Sequence, residues 1–177
     1  MQAGQSSKSL TIAAPRDLTE KWLLPRLAEI AGGDPDLRFS LVVADEAVDF
    51  TEANLDLAIR WGEGPGEHQG EAIESDGLVT LERPGGGAPT LIAWPGSPEG
   101  ETTPVVRVGD AGLAIDAAAA GLGRAIVPEL LAARDIAVAR VAVVGAAQPS
   151  RLGYWLVAPT PQWRQRKVQA LVEALAG

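Results

Sequence analysis

The residues able to do chemistry in this chain are carboxylates, arginines, one histidine and scattered hydroxyls. The pairs Asp45/Glu46 and Asp34/Asp36 have the types needed for general acid–base work, which needs a proton donor and acceptor held within reach of a substrate. No partner for either pair is evident, so they read as turn residues. With no Cys, thiol nucleophiles, disulfides and thiolate metal sites are excluded. A single His68 leaves a histidine-based metal site or a His-dependent triad almost nothing to work with. Gly62-x-Gly64-x-Gly66 and Gly85-Gly86-Gly87 invite comparison with phosphate loops, but neither ends in Lys-Ser/Thr or opens a helix. Gly96-Ser97-Pro98 is no nucleophile elbow. No catalytic set, metal site or cofactor is therefore expected. What remains is binding chemistry. Arg60 is able to grip a ligand carboxylate bidentately, or else to bridge Asp49, Asp56 or Glu63.

These side chains need a frame. The chain has 177 residues, 46% apolar and 21% charged, within the globular range. Ser9–Ala14 reads as a strand ended by Pro15. Asp17 stands at an N-cap with Glu20 three residues on, a capping-box spacing. The following helix places Leu18, Trp22, Leu23, Leu27 and Ile30 on one face, with Trp22 in the core. Pro25 bends it, and Gly32-Gly33 end it. Strands follow at 37–44 and 56–61, with a turn or short helix at 50–54 between them. The order implies a parallel sheet with right-handed crossovers. Residues 62–70 read as a loop, and 77–82 as a strand leaving the first lobe. A Pro/Gly-rich stretch 83–100 surrounds one apolar run at 90–94. Then come a strand at 105–108, a helix at 111–120 closed by Gly121 and Gly123, a strand at 124–127 and a short helix at 128–134. An extended segment at 136–144, a strand at 153–158 and an amphipathic helix at 162–176 complete the pass. Residues 1–8 read as a disordered lead-in or linker remnant.

The net charge is −8, the wrong sign for a phosphate-binding surface. Arg164, Arg166 and Lys167 read as a solvated helix face. No signal peptide or 18-residue apolar run is visible, so a cytoplasmic protein without membrane contact is expected.

Several segments, in order, resemble the effector-binding domain of LysR-type transcriptional regulators. They are Trp22-Leu23-Leu24-Pro25-Arg26-Leu27, Asp34-Pro35-Asp36-Leu37, Val48-Asp49-Phe50, the run Asp56–Gly62, the Ala-rich stretch Asp116–Val127 and Tyr154–Pro159. The branch holding glycine-cleavage activators and β-lactamase regulators is the most similar. The resemblance implies an α/β, periplasmic-binding-protein-like (type 2) fold of two lobes joined by two crossover strands, with lobe I at 9–76 plus 150–177 and a shortened lobe II at 77–149. It implies a small, anionic effector in the cleft, a homodimer, and DNA contact only through an N-terminal domain absent from this chain. Strand ends and helix N-termini then nominate ligand-binding residues. They are Ala14, Asp17 and Thr19 after strand one, Asp45 after strand two, Arg60 and Trp61 after strand three, and Gly109 and Asp110 in lobe II. Tyr154 matches a pocket tyrosine of the β-lactamase regulators, or is a core tyrosine. Asp17 and Asp110 serve equally as caps, and Trp61 as packing. Where the family often has Ser or Thr, this chain has Pro15-Arg16-Asp17 and Ala111-Gly112. The competing reading is a free-standing or degenerate solute-binding or scaffold protein acting by homo- or heterodimerisation.

Overall fold

The computed structural model describes residues 8–177; apart from Lys8, the expected lead-in lies outside them. The chain forms two compact units. One runs through Glu74 and resumes at Arg151, and the other is Ser75–Ser150.

The first unit is built on a five-stranded sheet of order β2-β1-β3-β8-β4. Strand β1 (Ser9–Ala14) lies in its interior, parallel to both β2 (Arg38–Val43) and β3 (Leu57–Gly62). Leu10, Ile12, Ala13 and Ala14 are all buried, as expected of a strand covered on both faces. β8 (Gly153–Ala158) runs antiparallel to β3 and brings the returning chain into the same sheet. β4 (Gln69–Ala72) adds an edge against β8. The sheet is therefore mixed. The region expected to be a loop supplies a strand, because pairing with β8 supplies what the sequence Gln-Gly-Glu-Ala lacks in propensity. Between β2 and β3 there is no crossover helix. Asp49 instead holds a tight turn, its Oδ1 accepting from the Thr51 and Glu52 amides at 2.9 and 3.0 Å.

After β1 the helix starts at Arg16 and runs as α1 (Arg16–Leu18), a π-helical stretch (Thr19–Leu23) and α2 (Leu24–Gly33). The π-turn sits just ahead of Pro25, where a missing N–H and the ring's steric demand disturb the ordinary ladder. The Leu24 amide bonds to the Thr19 carbonyl, five residues back. The extra residue rotates the phase of the apolar face. Leu18, Leu23 and Leu27 stay buried, whereas Trp22, expected in the core, is half-buried. The C-terminal helix is also divided, into α5 (Thr160–Trp163) and α6 (Arg166–Ala176), with Gln165 extended between them. Val168, Leu171, Val172 and Leu175 form the buried stripe of α6.

The second unit holds a three-stranded antiparallel sheet, β6 (Ala125–Pro128), β5 (Leu78–Glu82) and β7 (Ala142–Val143), in that order. Helices α3 (Ala111–Ala119) and α4 (Glu129–Ala137) complete it. Leu81, Ile92, Ile115, Val127 and Leu131 are fully buried. Two expected strands shrink. The stretch 83–110 has no helix and no strand, only isolated bridges at Leu91, Ala93 and Arg107, so the strand expected at 105–108 is reduced to a single bridge, because its prolines remove ladder donors. The segment expected to be extended from Ile136 instead continues α4 through Ala137. The left-handed residue Ala139 (φ 59°) turns the chain, and pairing returns only at Ala142.

Candidate functional site

Nominated residues gather first at the end of β1. Ala14 is buried, and its carbonyl accepts from the Ala44 amide at 2.9 Å. Asp45 follows, exposed. The helix N-cap is Pro15 (φ −57°, ψ 149°), not Asp17 as the capping-box spacing suggested. Proline holds the extended geometry an N-cap needs, so the helix begins two residues early, at Arg16. Asp17, 7% exposed, falls inside the first turn, where its Oδ1 accepts from the Leu18 amide at 2.8 Å. A carboxylate there also complements the helix dipole. The Thr19 hydroxyl donates to the Pro15 carbonyl at 2.8 Å. Both side chains thus make bonds to the backbone of the first turn.

Around the C-terminal ends of β1, β2 and β3 lies a cavity of about 350 Å³. Ala13, Ala44, Val48, Phe50 and Ala58 give it an apolar floor, and Arg60, Glu46, Asp49, Glu67 and His68 supply polar groups. The volume is at the small end for ligand sites. Arg60 shares a sheet face with Ala58, since side chains alternate along a strand. The loop after β3 packs onto its guanidinium. A Cβ at Gly66, which has φ +68°, would stand 3.0 Å from Arg60 Nη2. None of the three carboxylates weighed as structural partners pairs with Arg60. Asp56 accepts from the Thr11 amide and lies 3.4 Å from Lys167 Nζ. Asp49 holds its turn, and Glu63 lies 3.8 Å from Arg151. Arg60 is left half-buried with no hydrogen bond or ion pair among the described residues. His68, the single histidine, is half-buried and meets the Phe50 ring edge-on, centroids 5.2 Å apart.

Trp61 and Tyr154 are opposite one another across the β3–β8 pairing, with ring centroids 4.7 Å apart. By the pleat they occupy the face opposite Arg60. Tyr154 is 5% exposed. Gly109 and Asp110 belong to the second unit. Asp110 is the N-cap of α3, its Oδ1 accepting from the Leu113 amide at 2.8 Å, and Gly109 is exposed. The Ser97 hydroxyl is held in its own turn, donating to the Trp94 carbonyl and accepting from the Trp94 amide. Among the described residues no cluster of ligating side chains suits a metal ion, and no helix is long and apolar enough to cross a membrane. Of the nominated residues, then, only Arg60 lines the cavity. Glu46, Glu67, His68 and the alanine floor line it as well, without being among the nominated residues.

Two α/β units made by a chain that leaves the first and later returns to it define the type 2 periplasmic-binding-protein-like class. The sequence matches the LysR substrate binding domain over residues 3–75 and 67–177. The chain belongs to that family and is the ligand-sensing regulatory domain of a LysR-type regulator. The AhcY transcriptional activator HvrB of Rhodobacter capsulatus is 36% identical over 64 residues, a match spanning 36% of this chain and only 22% of that protein. Among solved structures, the effector domain of the transcriptional regulator AmpR of Pseudomonas aeruginosa is similar, with a TM-score of 0.72 and 24% identity over 95% of this chain and 96% of that one. The regulatory domain of CrgA from Neisseria meningitidis has a TM-score of 0.76 and 16% identity, over 95% and 97%. Full-length AphB, a Vibrio cholerae virulence activator, has a TM-score of 0.71 and 16% identity, with 97% of this chain covering 68% of that protein.

Proposed function

We propose that this regulatory domain holds a small, carboxylate-bearing metabolite against the first unit, with Arg60 as its anchor. The observation that carries the reading is a half-buried guanidinium lining a cavity with no partner among the described residues. A buried or half-buried cation without a partner forgoes hydration that a ligand carboxylate would replace with two charge-assisted hydrogen bonds. Ala14, Asp17, Thr19 and Asp45 shape the neighbouring strand ends, and Trp61 with Tyr154 stiffens β3 from its other face. Gly109 and Asp110 remain the second unit's candidates. The lobe boundaries near residues 76 and 150, and the place within the branch of glycine-cleavage activators and β-lactamase regulators, belong to the same proposal.

A thermal-shift screen of the chain against small carboxylates, amino acids and peptidoglycan fragments tests it. A ligand at a hundred times its Kd stabilises by about 2.7 kcal/mol. Arg60→Ala should weaken that ligand at least tenfold, on the order of 1.4 kcal/mol, while Tyr154→Phe leaves binding within a few-fold. A flat screen, or a hit indifferent to Arg60→Ala, would shift the reading to a scaffold acting by dimerisation.

The intact regulator would act in the cytoplasm as a dimer that contacts DNA through an N-terminal domain absent from this sequence. The net charge of −8 supports leaving DNA to another domain. Support for self-association comes from the edge strand β2, where Val42 and Val43 are 37% and 56% exposed, and from Leu24, 50% exposed on the first helix. An apolar open edge invites pairing with a second chain. Sedimentation velocity should give a dimer, and Val43→Lys should weaken it at least tenfold; an unchanged dimer would place the interface elsewhere.

A further inference from the structure

Resting on the Arg60 site proposed above, we infer that the effector is a zwitterion, a free amino acid or short peptide whose carboxylate meets Arg60 and whose ammonium meets Glu46 and Glu67. The cavity's charges are of the wrong sign for a plain anion. Its lining has one guanidinium against the carboxylates of Glu46, Asp49 and Glu67. Asp49 is committed to its own turn. Glu46 and Glu67 make no hydrogen bond or ion pair among the described residues. Neither comes within 4.0 Å of the Arg60 guanidinium, so neither forms an ion pair with it.

Glu67 follows Gly66, the residue that packs onto Arg60 Nη2. Glu46 lies just past the end of β2. Positive and negative groups thus line one small cavity without touching. A purely anionic ligand gains from Arg60 but meets uncompensated carboxylates, and the chain's net charge of −8 adds to that repulsion. A purely cationic ligand leaves Arg60 unpaired. A molecule with both ends charged satisfies both, and its apolar middle fits over Ala13 and Ala58. Selectivity arises as much from what the carboxylates reject as from what Arg60 attracts.

The test is calorimetric titration of the full chain with L-alanyl-L-alanine, its N-acetyl derivative and its C-terminal amide. The free dipeptide should bind, and each blocked form should bind at least tenfold more weakly. In Glu46→Gln/Glu67→Gln, two exposed changes that leave folding intact, the free and N-acetyl forms should fall within twofold of each other. Arg60→Ala should instead erase the difference between the free dipeptide and its amide. If the N-acetyl form binds the unmodified chain as tightly as the free form, the zwitterion inference falls while the Arg60 carboxylate site stands. If the amide also binds as tightly, and Arg60→Ala changes nothing, both fall. Absence of binding by all three at about 10 mM, weaker than any useful effector affinity, overturns the inference as well.

Discussion

Gly77→Ala is expected to destabilise the unit Ser75–Ser150 by about 3–5 kcal/mol, the sum of a left-handed backbone penalty, a steric overlap and weakened hydrogen bonds. Gly77 has φ +84°, and a Cβ there would overlap the Gln148 carbonyl oxygen and come within 3.1 Å of Pro149 Cα. Relief by small shifts is blocked on both sides. The Leu78 amide donates to the Gln148 carbonyl and the Gln148 amide to the Leu78 carbonyl, each at 2.8 Å, while the Glu129 amide donates to the Gly77 carbonyl at 2.8 Å. Moving either strand lengthens at least one of these bonds, and each is worth about 1 kcal/mol. Gly85→Ala is the control. Gly85 has φ +86° but nothing within 4 Å of its Cβ, so it should lose only the conformational part, about 1–2 kcal/mol. Urea denaturation of both variants, with hydrogen exchange at Leu78, Glu129 and Gln148, measures the difference. Equal losses in the two would sink the overlap argument.

The parts of the fold legible in the sequence are those where local pattern and tertiary demand agree. Ser9–Ala14 and Gly153–Ala158 are apolar runs closed by Pro15 and Pro159, and they form β1 and β8 over those residues. The helix stripe Val168, Leu171, Val172 and Leu175 is visible from its 3.6-residue period. What was not legible depends on partners far along the chain. β4 exists because β8 offers it an edge. Ile136 looked extended because a short apolar run does not declare its period, yet Leu131, Ala132 and Asp135 are buried at helical spacing just before it. The break at Gln165 has no glycine or proline to announce it.

The candidate site divides the same way. Arg60 was legible because a strand end in an open α/β sheet is where ligands are met. Glu46, Glu67 and His68 were not, since they come from two loops with no periodic pattern; Glu67 and His68 directly follow Gly66, which lies against the guanidinium. The Gly62–Gly66 repeat forms a turn between β3 and β4 rather than a phosphate cradle, and only the fold brings Gly66 against Arg60.

Asp56 opens the run Asp56–Gly62, and Asp56→Ala is expected to cost about 2–3 kcal/mol through a lost charge-assisted bond and an under-satisfied amide. Its Oδ2 accepts from the Thr11 amide at 2.8 Å, and its own amide donates to the Thr11 carbonyl at 2.9 Å. Its Oδ1 lies 3.4 Å from Lys167 Nζ, which also donates to the Ser9 carbonyl at 2.7 Å. One carboxylate thus ties β1, the start of β3 and α6 together. The two contacts are unequal. The backbone bond is to a fixed donor beside the core, whereas the Lys167 side chain is 25% exposed and its pairing is screened, worth roughly 1 kcal/mol or less. Asp56→Asn keeps an acceptor for Thr11 and should recover more than half of the alanine loss; Lys167→Met should cost less than either. If Asp56→Asn is as damaging as Asp56→Ala, the ion pair outweighs the backbone bond and this ranking is wrong. Since β3 leads from Asp56 directly to Arg60, the alanine variant should also weaken any ligand that depends on Arg60, whereas Lys167→Met should leave that affinity unchanged.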